Sequence, residues 1–147
     1  MIVEDVMTRW VKTVPPDQRL NEVAASMCLH RIPSLPVVED GDRLVGIIAE
    51  SDILRYLFPS LDIVISAGLN KIDFETMEDD YRNLNKLVVS DLMNHKLFVV
   101  RPEMPVLKAT SVMVHHKLRR IPVTEDGRLR GMLSLGDVHK ALLRKSI

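Results

Sequence analysis

One cysteine, Cys28, stands in the 147 residues. No disulfide can form within the chain, and a reducing compartment suits it. Net charge is also missing: 20 basic residues balance 20 acidic ones. That balance removes any global attraction to nucleic acid or an anionic membrane, and leaves only a local basic patch to supply one. No apolar run approaches the ~20 residues that span a bilayer. The opening MIVEDVMTRW lacks the basic start and apolar core of a secretion signal. These absences predict a cytoplasmic protein with no membrane or nucleic-acid partner.

Catalytic chemistry is equally sparse. The histidines (30, 95, 115, 116 and 139) form no H-x-x-x-H pair, and there is no C-x-x-C, Walker loop or G-x-G-x-x-G. His115 and His116 are neighbours and point to different faces of a helix, which argues against zinc. The expectation is a non-enzyme without a metal. What is present is 46% apolar and 27% charged residues, a globular rather than a disordered composition. The length suits one compact domain, or two small ones sharing a core.

The chain is written twice. VEDVMTRWVKTVPPDQ (3–18) recurs as VSDLMNHKLFVVRPEM (89–104), 86 positions later, with Asp5, Met7, Val14 and Pro16 matching Asp91, Met93, Val100 and Pro102. LPVVEDGDRLVG (35–46) recurs as IPVTEDGRLRG (121–131), one residue shorter. The repeat predicts one unit at 1–58, a connector at 59–88 and a second unit at 89–147.

Each copy reads alike. Leu20, Val23, Ala24, Met27 and Cys28 keep helical spacing, as do Val106, Ala109, Thr110, Met113 and Val114. That spacing puts Cys28 in the core rather than in a nucleophile's position. Asp17 and Glu103 precede these stripes, where a carboxylate complements a helix N-terminus. Two β-branched runs joined by EDGD or EDGR predict a hairpin. Short helices over 53–58 and 138–143 close the copies, the first stopped by Pro59. An extended segment around Val14 or Val100 precedes each set. In the connector, Phe74, Met77, Tyr81, Leu84 and Val88 predict one amphipathic helix. Neither copy is large enough to bury both its sheet and its helices, whereas two copies packed sheet to sheet about a pseudo-twofold axis are.

GIIAESD (46–52) and GMLSLGD (131–137) both end a strand-like run with an aspartate at a helix start. Ser134 and Asp137 fit a capping box. In the first copy Ala49 replaces the serine while Asp52 remains, which suggests a further task for the aspartate, although shared descent explains it too. A helix N-terminus offers free N–H donors to an anion, and a carboxylate there can accept both hydroxyls of a ribose. Arg119 and Arg120, ending HHKLRR, suit phosphate oxygens. A solvated helix end whose cations complement the C-terminal dipole accounts for the same run.

These motifs, EDVM and SDLM, LPVVEDGDRLVGIIAESDIL and IPVTEDGRLRGMLSLGDV, resemble a tandem CBS-domain pair, the Bateman module. The resemblance covers both copies and omits 59–88. It implies an α/β (α+β) fold of two β-α-β-β-α units, commonly a homodimer. It also implies a sensor of AMP, ADP, ATP or S-adenosylmethionine, with no obligatory cofactor, signalling to an effector protein in trans. The family's ribose-binding aspartate falls on Asp137 and Asp52, and its preceding hydroxyl falls on Ser134 but on Ala49 in the first copy. Its basic pair falls on Arg119 and Arg120, against Pro33 and Ser34. The adenine contacts fall on Val99, Val100, Ile121 and Pro122. A second, weaker site comprises Asp52, Val14, Leu35 and Pro36, with Arg31 as its nearest cation. The competing expectation is a ligand-free scaffold for dimerisation or protein interaction.

Overall fold

The computed structural model describes residues 1–58 and 61–147. In chain order the elements are α1 (Val3–Val6), α2 (Leu20–His30), β1 (Ser34–Glu39), β2 (Arg43–Ala49), α3 (Glu50–Leu57), α4 (Leu61–Ala67), α5 (Phe74–Asp80), α6 (Val89–Leu92), α7 (Val106–His115), β3 (Arg120–Glu125), β4 (Arg128–Ser134) and α8 (Leu135–Ser146). Each copy's expected helix, hairpin and closing helix are therefore present. The expected stop at Pro59 lies outside the described residues.

Contacts divide the chain into two compact units that cut across the repeat. Residues 14–37 and 45–95 form one, called here the Asp52 unit. Residues 1–13, 38–44 and 96–147 form the other, the Asp137 unit. Each unit takes the opening segment of the other copy. In the Asp137 unit, Val3 and Glu4 N–H groups donate to the carbonyls of Met104 and Pro102, both at 2.9 Å. In the Asp52 unit, Val89 and Ser90 donate to Gln18 and Pro16, again at 2.9 Å.

Asp17 and Glu103 do not cap, because each lies two residues before the N-cap position. α2 and α7 begin after Arg19 and Pro105, with no side-chain cap on either. Their first N–H groups are already satisfied: Leu20 donates to Leu87 O at 2.9 Å and Val106 to Met1 O at 3.1 Å. One free donor of each helix start is thereby satisfied by an incoming backbone carbonyl.

The core of the Asp52 unit gathers Leu20, Val23, Met27, Leu35, Ile48 and Leu84. That of the Asp137 unit gathers Val3, Val100, Ala109, Met113, Ile121 and Leu133. The helical stripes are narrower than their spacing suggested. Cys28 is exposed rather than buried, and Val114 is 63% exposed. Eight positions from its first residue, each has rotated to the edge of its stripe. Cys28 instead lines a cavity of about 230 Å³ with Met27, Leu54 and Tyr81. The connector is also not one helix. α5 gives way to a 3-10 turn, Tyr81–Lys86, and of the expected stripe only Leu84 is fully buried. Asp73 caps α5, with its oxygens 3.1 and 2.6 Å from the Thr76 N–H and hydroxyl. Those bonds hold its carboxyl below the usual range.

Within the Asp137 unit, β3 and β4 pair antiparallel around a tight Asp126–Gly127 turn, whose φ values of 53° and 77° suit a two-residue hairpin. In the same unit, Arg43 of β2 pairs antiparallel with Arg128 of β4.

Candidate functional site at the start of the last helix

β4 ends at Ser134, whose extended backbone turns the chain into α8. The Ser134 hydroxyl accepts from the Asp137 N–H at 3.0 Å, and the Leu135 N–H donates to the Arg119 carbonyl at 3.0 Å. The first turn of α8 therefore brings Ser134, Asp137 and the Arg119 backbone together. Gly136, between them, is exposed and covers the turn with no side chain.

A residue that sequence reasoning missed completes the cluster. The Thr8 hydroxyl donates to Asp137 Oδ2 at 3.5 Å. Thr8 is fixed by reciprocal backbone bonds with Met132, 2.8 and 2.9 Å long. That approach explains Gly131: a Cβ there would lie 2.5 Å from the Thr8 carbonyl oxygen. The available signal was the 86-residue offset, which pairs Thr8 with Asn94 as short polar residues after a shared methionine.

Among the described residues, Thr8 is the one hydrogen-bond partner of the Asp137 carboxylate. Ser134 performs the cap, and the reciprocal bond of a full capping box is not made. One edge of this half-buried carboxylate therefore remains available to a vicinal diol.

The Asp52 unit has the same backbone plan and a different side-chain outcome. Glu50 N–H donates to Pro33 O at 2.9 Å, and Ile47 and Asn94 exchange backbone bonds of 3.1 and 2.8 Å. Ala49 supplies no cap, yet its own N–H donates to Asp52 Oδ2 at 2.9 Å. Arg55 reaches Asp52 Oδ1 at 3.3 Å. Both carboxylate oxygens are engaged. The expectation that Asp52 lacks capping work is thus corrected, because the partner is a backbone N–H that any residue provides. Asp52 and Arg55 line a cavity of about 260 Å³ together with Tyr56, Leu92 and a second carboxylate, Asp91. Two carboxylates make it a poor seat for a phosphate.

The remaining expected residues divide by burial. Val100 and Ile121 are closed in the core, as are Val14 and Leu35, so they offer a ligand backbone rather than side chain. Val100 N–H donates to Pro122 O and Val14 N–H to Pro36 O, at 3.0 and 3.1 Å. Pro122 and Pro36 are buried. Val99 is 44% exposed. Arg119 is exposed and Arg120 half-buried, while Arg31 is exposed in a left-handed turn (φ 54°) that ends α2. Among the described residues no helix is long and apolar enough to cross a membrane.

Known proteins are similar to this chain in sequence and fold. The CBS domain family matches residues 3–59 and 89–144. A Methanocaldococcus jannaschii protein of uncharacterized role is 30% identical over 97% of this chain and 92% of its own length. The CBS domain-containing protein YhcV of Bacillus subtilis is 29% identical over 92% of this chain and 81% of its own. The crystal structure of CBSX2 in complex with AMP is 29% identical, covers 99% of this chain and 98% of its own, and superposes with a TM-score of 0.75. With two matched copies, a mixed α/β architecture and CBS-pair structures as its neighbours, the chain belongs to the CBS domain family.

Proposed function

We propose that this chain is a non-catalytic regulatory module that binds an adenine nucleotide through its Asp137 unit. The observation that carries this reading is the Asp137 carboxylate, relieved of capping by Ser134 and held by Thr8 beside an open helix N-terminus. Asp137 accepts the ribose hydroxyls, Arg119 and Arg120 take the phosphate, and Val99 with the backbone of Val100 and Pro122 borders the base. The AMP complex of CBSX2 supports the ligand class. S-adenosylmethionine shares the ribose and is the adenosyl alternative. The Asp52 site, with both oxygens engaged, binds weakly or not at all. The module acts in the cytoplasm as a homodimer. Exposed Leu107, Val114 and Leu143 on α7 and α8 favour such an interface. It signals by favouring one arrangement that an effector protein reads in trans.

The test is calorimetric titration of AMP, ADP, ATP and S-adenosylmethionine into wild type and Asp137→Ala. Saturable binding weakened about 10–100-fold in the variant is expected, from the loss of charge-assisted hydrogen bonds. Absence of binding by folded wild-type protein would overturn the reading in favour of a scaffold.

A further inference from the structure

The zero net charge of the chain conceals an uneven division. The Asp137 unit holds 14 Lys and Arg against 9 Asp and Glu, and the Asp52 unit holds 6 against 11. Two exposed helix surfaces concentrate the difference. In the Asp52 unit, α5 presents Phe74, Glu75, Glu78, Asp79 and Asp80 to solvent. In the Asp137 unit, α7 and α8 pack together and expose Leu107, Lys108, Lys140, Leu143, Arg144 and Lys145. Leu107, Leu143 and Phe74 are 61%, 56% and 50% exposed, so both charged surfaces also offer apolar side chains.

These charges do not serve their own helices. Glu75 repels Glu78 and Asp79 at i,i+3 and i,i+4 spacing. Glu78, Asp79 and Asp80 stand in the last turn of α5, with no basic residue beside them, against the helix dipole. Lys108 opposes the dipole of α7 from its first turn. Its equivalent in α2, 86 positions earlier, is Glu22. Among the described residues, no ion pair engages the α5 acids, Lys108, Lys140, Arg144 or Lys145. Residues 74–80 also lie between the two stretches that the CBS family matches, 3–59 and 89–144. The acidic surface thus belongs to the connector of this chain and not to the repeat.

We propose that α5 of each molecule docks on the α7–α8 surface of a second molecule of this chain, its carboxylates facing Lys108 and Arg144. In a twofold dimer one such contact implies its mate, so both charge imbalances are met together. Pairing like surfaces would set acid against acid and base against base. This inference rests on the homodimer proposed above and names the second surface of its interface.

Sedimentation equilibrium of the full chain, at low and high ionic strength, tests it. The proteins are wild type, Lys108→Glu/Arg144→Glu, Glu78→Lys/Asp79→Lys and the chain carrying all four substitutions. The wild-type dimer should weaken as salt rises, because opposite charges are screened. Each two-site variant should weaken the dimer about tenfold or more, and the four-site chain should return to within about threefold of wild type. Melting curves at monomer concentrations separate docking from folding. Glu78→Lys/Asp79→Lys removes acids from the wrong end of the α5 dipole, so it should melt no lower than wild type. A dimer that salt leaves unchanged or tightens would overturn the inference and leave the homodimer standing. So would two-site variants that dimerise like wild type, or a four-site chain no tighter than they are. A wild-type chain that stays monomeric overturns both.

Discussion

Asp52 and Asp137 occupy equivalent places in two copies of one repeat, and they do different work. Each follows a strand, enters a helix at its third residue and faces a segment donated by the other copy. In the Asp52 unit the N-cap is alanine, so the carboxylate itself closes the helix start through the Ala49 N–H, and Arg55 takes its other oxygen. In the Asp137 unit a serine caps, and among the described residues the carboxylate keeps one long bond to Thr8. A single hydroxyl at the N-cap thus decides whether the aspartate three residues on is structural or available to a ligand. The lesson is that equivalent residues are not interchangeable when a neighbour can take over their bond.

The comparison can be broken hardest at the glycines. A Cβ at residue 131 would strike the Thr8 carbonyl, a backbone atom, at 2.5 Å, whereas at residue 46 it would first strike the flexible Met93 sulfur at 2.6 Å. Gly131→Ala should destabilise by about 1–3 kcal/mol, and Gly46→Ala by clearly less. Denaturant unfolding measures both, and equal losses would show that the two crossings are equally tight.

The caps give the next effect. Ser134→Ala should cost about 1 kcal/mol, while Ala49→Ser should gain a fraction of that by adding the missing cap. Thermal melts of the two variants should shift in opposite directions. Thr8→Val should weaken nucleotide binding several-fold by loosening Asp137, a loss on the order of 1 kcal/mol. Asn94→Ala, its counterpart, should leave affinity unchanged by calorimetry.

The smallest effect is alkaline. Burial, with the Cys28 thiol as a lesser contributor, pushes the Tyr81 phenol up. The neutral phenol is then favoured in the fold, and its contribution is complete below the unfolded value near 10. It is lost as pH rises through the higher folded value. Tyr81→Phe should flatten this alkaline decline in stability, as followed by denaturation midpoints from pH 9 to 11.

Much of this was legible because it is local. Hairpins, helices and the Ser134–Asp137 spacing depend on residues within a few positions of one another, and the repeat shows each feature twice. The exchange of opening segments is not local. Thr8 meets Asp137 across 129 positions, and alignment of the copies shows that two segments are alike without showing where each docks. Asp52 misled for a different reason. Side-chain patterns reveal the serine half of a capping box, while the other half uses a backbone N–H that every residue but proline carries. Cys28 and Val114 misled because a helical stripe narrows when sheet and opening segment already fill the core.

The division of labour is tested most directly by Asp52→Ala and Asp137→Ala, each melted with and without saturating AMP. Asp52→Ala should lower the ligand-free melting temperature, reflecting about 1 kcal/mol of lost capping, and retain the AMP-induced rise. Asp137→Ala should melt like wild type without AMP and lose the rise. The reverse pattern, with Asp52→Ala losing the rise and Asp137→Ala keeping it, would contradict the account.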